Sequence, residues 1–148
     1  MNGIPQMPEV SLFRLYVLRA VYLFVVVGIA LTIWPRLLSP PPQWPLMNGV
    51  VCSLLGAVSV LALLGLRYPL LMLPILLFEL IWKAIWLALV ALPLWRADAL
   101  DAAAIATVRD CVPAVILLVA IPWRYVFSRY LAQPAERWRA AAPAESAR

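Results

Sequence analysis

Glu79, Lys83, Arg109 and Asp110 are the ionisable residues that stand deep inside the long apolar stretches of this chain. Glu79 and Lys83 are one helical turn apart with the acid N-terminal to the base, the favourable order for an i,i+4 ion pair. Phe78, Trp82 and Trp86 form an aromatic stripe beside them, and Trp86, three residues beyond Lys83, is placed for a cation–π contact. Arg109 and Asp110 are consecutive, so a helix points them about 100° apart, and neither has an opposite charge three or four residues away. Their partners must then come from another helix. Pairing Glu79 with Arg109 and Lys83 with Asp110 would neutralise all four.

Much other chemistry is excluded. The chain has no His, which removes the commonest general base and metal ligand. Its two cysteines, Cys52 and Cys111, lie in different apolar stretches with no C-x-x-C, so neither a zinc site nor a disulfide framework is expected. There is no Gly-rich phosphate loop, no G-x-S-x-G and no Ser/His/Asp set. No catalytic residue, metal or cofactor is expected, and the chain does not read as an enzyme.

The elements that position the quartet follow from composition. Of 148 residues, 66% are hydrophobic and 13% charged, against about 45–50% and about 25% in a soluble domain. A chain of this size cannot hide that excess in one soluble core, which points to lipid as the solvent. About 20 apolar residues span a bilayer, and four stretches qualify: 12–34, 46–66, 70–94 and 99–123. Pro35 ends the first, Pro74 kinks the start of the third and Pro93 marks its end. The segment 36–45, with Pro40-Pro41-Pro42 and Trp44, reads as a stiff surface loop. Asp98 and Asp101 both favour a helix start. Gly49, Ser53 and Ala57 recur every four residues, a small-residue face suited to close helix packing and self-association.

Residues 1–131 thus read as one all-α domain, an integral membrane four-helix bundle with antiparallel neighbours, followed by a basic, Ala-rich tail at 132–148. Arg14, Arg19, Arg67, Arg124, Arg129, Arg137 and Arg139 gather on one side, Arg36 and Arg96 on the other. The basic-rich side is the cytoplasmic one, so both termini face inward. Arg124, Arg129, Arg137 and Arg139 alternate with aromatic residues and are expected to hold anionic lipid headgroups. The net charge of +5 belongs with these topology signals and not with nucleic acid, which is not an expected partner.

At Arg67-Tyr68-Pro69, Phe78-Glu79, Trp82-Lys83 and Ile121-Pro122-Trp123-Arg124-Tyr125, the chain resembles short bacterial inner-membrane proteins of uncharacterised activity. That resemblance extends over the chain and implies a bacterial cytoplasmic membrane. It carries over no activity and no functional residue.

At about 1.5 Å per residue, all four charged residues fall near the middle of a core about 30 Å thick. An unpaired charge there costs at least about 2.5–3.5 kcal/mol on insertion scales. Pairing removes most of that cost without guaranteeing net stabilisation. Two roles stay open for the quartet. One is a site for a small ion or amphiphilic ligand in a homo-oligomer, with Trp82 and Trp86 as an apolar wall. The other is an internal salt-bridge staple in a non-catalytic accessory or structural protein. A third option moves the fourth span to start near Cys111 and leaves Arg109 and Asp110 at the outer rim.

Overall fold

The computed structural model describes residues 9–133. Arg137, Arg139 and the rest of the basic tail beyond 133 lie outside the described residues. The described regular structure is helical throughout. Among the described residues, four helices are long and apolar enough to cross a membrane: Leu12–Leu38, Leu46–Arg67, Leu73–Arg96 and Ala102–Ala120. The chain divides into two compact units, Val10–Pro122 and a second unit holding Glu9 and Trp123 onward.

In the larger unit, α1 (Leu12–Thr32) starts at Ser11, whose side chain accepts the Arg14 N–H. It gives way at Ile33 to a short helix, α2 (Trp34–Leu38). Pro35 therefore does not end the span. It falls in the first turn of α2, where a missing N–H removes no helical bond. Just before the break, the Thr32 hydroxyl donates back to the Gly28 carbonyl at 2.8 Å.

α3 (Leu46–Arg67) has no charge before its last residue. It packs along α1, and one contact is unusually close. A Cβ on Gly65 would lie 2.3 Å from a Tyr22 ring carbon, so only glycine lets the ring pass. Tyr22 is fully buried, and its hydroxyl donates to the Pro69 carbonyl at 3.0 Å. Nearby polar groups close in the same manner: Trp34 Nε1 donates to Ser59 Oγ at 3.0 Å, and Ser59 donates to the Gly56 carbonyl at 2.7 Å.

α4 (Leu73–Trp86) begins later than residue 70, and Pro74 sits in its first turn, starting the helix where a kink was expected. A π-helical turn, Leu87–Ala91, follows, and α5 (Leu92–Arg96) completes the span. Pro93 is the physical reason. It cannot donate, and its ring crowds the carbonyl of Leu89, so the ladder widens and the Leu92 N–H reaches back five residues to Leu87. The helix passes through Pro93 to Arg96 instead of ending there.

The fourth span has the caps the two aspartates decide between. Asp101 is the N-cap of α6 (Ala102–Cys111), accepting the Ala104 N–H at 2.7 Å. Asp98 is not a cap; it takes the left-handed conformation at φ 53°, which Asp tolerates better than most residues. A tight turn at Val112–Pro113 joins α6 to α7 (Ala114–Ala120). Ile121, preceding Pro122, is extended at ψ 126°, which ends the span three residues before Trp123. Buried side chains of the larger unit include Leu18, Val21, Leu73, Leu76, Leu117 and Ile121.

In the second unit, α8 (Trp123–Phe127) runs into a π-helical turn, Ser128–Ala132. The Trp123 and Phe127 rings meet at a 35° tilt with centroids 6.1 Å apart, and Arg129 donates to Gln133. Burial pushes the Tyr130 phenol above its ordinary value, Tyr125 adds to that shift and Arg129 opposes it. Arg124 and Arg129 are exposed.

Candidate functional site

Leu73, Leu76 and Glu79 recur every three residues and form the buried face of α4. The carboxylate is therefore on the inward side, and Glu79 is only 2% exposed. Lys83, one turn on, reaches back to form an ion pair through Nζ with Glu79 Oε2. Its ammonium also lies 4.7 Å from the centroid of the Trp82 ring, so the cation–π contact falls on Trp82 and not on Trp86. Trp86 is half-buried further along the same helix.

The quartet expected from spacing divides into two pairs. Glu79 is paired within its own helix, and the Arg109 and Asp110 side chains make no hydrogen bond or ion pair with any described residue. The reason is angular. Ala104, Thr107, Val108 and Cys111 turn inward on α6, with Cys111 2% exposed. Arg109 and Asp110 stand on the opposite face and are exposed.

Two polar atoms beside the ion pair are left over. Glu79 Oε1 and Trp82 Nε1 are buried without a hydrogen-bond partner among the described residues. One is an acceptor and the other a donor, each aimed away from water. Neither of two surface clefts reaches them. A cleft of about 610 Å³ runs between α1 and α7, lined by Ser11, Phe13, Arg14, Val115 and Val119 among others. A second, of about 440 Å³, lies on α3 at Leu46, Gly49, Val50 and Ser53. Among the described residues, no three His, Cys, Asp or Glu side chains come together as a metal site would require.

Basic residues near the helix ends carry contacts that single-sequence reasoning missed. Arg19 donates to the Leu66 carbonyl at 3.1 Å, and Arg14 to the Ile121 carbonyl at 3.4 Å. Both satisfy carbonyls that the ends of α3 and α7 would otherwise leave open. Spacing along one chain holds no signal for such pairings, which join residues 47 and 107 positions apart.

Comparison with protein-family models, with curated proteins and with solved structures finds no match to this chain.

Proposed function

We propose that this chain is an integral, multi-pass protein of a bacterial inner membrane, with antiparallel neighbouring spans and both ends cytoplasmic. In this reading it is a non-catalytic structural or accessory component, self-associating, in which Glu79 and Lys83 form an internal ion pair. The observation that carries the proposal is the pairing itself: the buried carboxylate is neutralised one turn away on its own helix, and neither cleft opens onto it. A transport site needs a path to its charges.

Length and surface support the membrane. The shortest candidate span has 19 residues, about 28 Å at about 1.5 Å per residue, close to a hydrocarbon core of about 30 Å. Leu31, Leu89 and Val119 are each more than 70% exposed, an arrangement suited to lipid. The Arg19–Leu66 and Arg14–Ile121 contacts gather the start of α1 with the ends of α3 and α7. That supports alternating span directions and a basic cytoplasmic end that includes Arg67.

A second reading, binding of a small ion or amphiphilic ligand, is favoured by one observation: the unpartnered Glu79 Oε1 and Trp82 Nε1. The membrane reading is tested by alkaline carbonate extraction and by maleimide labelling of single cysteines placed at Ser39 and at Ser128. Retention in the membrane, with Ser39→Cys labelled from outside and Ser128→Cys only after permeabilisation, is the expected result. Release by carbonate, or labelling of both from the same side, would refute it.

A further inference from the structure

α6 has two faces of different chemistry. Its inner face, Ala104, Thr107, Val108 and Cys111, packs into the fold. Its outer face shows exposed Ala102 and Ala106, and one turn further on the exposed pair Arg109 and Asp110. At about 100° per residue, Ala102 and Ala106 fall close to one line, and Arg109 and Asp110 stand about 50° to either side of it. Small residues on the centre line let a second helix approach closely. Charges of opposite sign flank that line at nearly the same height, separated by about 1.5 Å along the axis. Within the described chain neither finds an ion pair, although both lie in the middle of a candidate span.

This arrangement is self-complementary under one symmetry. Rotate a copy by 180° about an axis parallel to the helix, and its Arg side faces the Asp side of the first copy on both flanks. We propose that two copies of this chain associate through a parallel, two-fold contact between their α6 helices, with Ala102 and Ala106 at the centre and Arg109 of each copy paired with Asp110 of the partner subunit. The inference rests on the membrane reading above, since in lipid the two charges have no water to solvate them. It also places self-association on α6. The Gly49, Ser53 and Ala57 face of α3 carries no charge that needs a partner.

Charge reversal tests the pairing. Asp110→Arg alone brings like charges together in a homodimer, and so does Arg109→Asp alone. Each variant is expected to weaken dimerisation in phosphatidylethanolamine–phosphatidylglycerol vesicles by at least about tenfold, read by energy transfer between labelled chains on lipid dilution. Mixing the two variants restores opposite charges on both flanks, and the mixed dimer is expected to approach wild-type strength. If either variant alone dimerises as the wild type does, or the mixture fails to pair while both variants keep wild-type helicity, the proposal is wrong. Ala106→Cys provides a measurement that retains both charges. It is expected to form an inter-chain disulfide under mild oxidation in the membrane, and Val119→Cys is not. Carbonate extraction of the same samples separates the two failures: a chain that stays in the membrane without an Ala106→Cys cross-link, or that links to a different protein, sinks this contact alone, whereas a chain that leaves the membrane sinks the membrane reading with it.

Discussion

Replacing Lys83 with Met should be among the most damaging single changes in this protein. The Glu79 side chain is 3% exposed, the Lys83 side chain 14%, and they are each other's ion-pair partner. Removing the base leaves a carboxylate buried with both oxygens unpartnered, since Oε1 has no hydrogen bond to begin with. Breaking a buried pair from one side costs about 3–5 kcal/mol. The reverse change, Glu79→Leu, should cost less, on the order of 2 kcal/mol, because a lysine stem can carry its ammonium toward a wetter level. The double variant Glu79→Leu/Lys83→Met leaves no charge behind and should fall within about 1 kcal/mol of the wild type. The cycle then gives a coupling of at least about 4 kcal/mol. Reversible unfolding in mixed micelles by titration with sodium dodecyl sulfate, followed by Trp fluorescence and circular dichroism, measures all four proteins. A Lys83→Met variant within about 0.5 kcal/mol of the wild type would refute the reasoning. So would a double variant as unstable as the two singles added together.

The same titration checks Gly65→Ala, which should destabilise by about 1–3 kcal/mol through overpacking against the Tyr22 ring, outweighing about 1 kcal/mol of gained helix propensity; an equally stable variant would show that Tyr22 is free to move aside. Asp101→Ala should cost about 0.5–2 kcal/mol and speed hydrogen exchange at the Ala104 amide, which loses its 2.7 Å acceptor. Asp98→Ala should leave that amide's protection unchanged, because Asp98 makes no cap; faster exchange in both variants would put the helix start in the wrong place.

The prolines show why helix boundaries are hard to read from the chain alone. Pro122 falls inside the expected fourth span, 99–123, yet it holds Ile121 extended and the span stops at Ala120. Pro35, Pro74 and Pro93 were each expected to stop or kink a helix. Pro35 and Pro74 occupy first turns that have no hydrogen bond to lose, and Pro93 is absorbed by a π-helical turn. Whether a proline breaks a helix depends on which turn it occupies, and that depends on where packing allows the helix to begin.

From sequence alone, four helices long and apolar enough to cross a membrane could be read, together with an i,i+4 relation between Glu79 and Lys83. Both rest on hydrophobic run length and on spacing within a single turn. The tertiary structure decided which way each helix faces. Rotation of α6 buries Cys111 and turns Arg109 and Asp110 outward. Packing of α1 on α3 puts Tyr22 against Gly65, and folding carries Arg14 to Ile121. A helix's own repeat fixes which residues share a face. Which face is buried is set by neighbours distant in the chain, and the periodic pattern of a helix apolar on all sides holds almost no information about them.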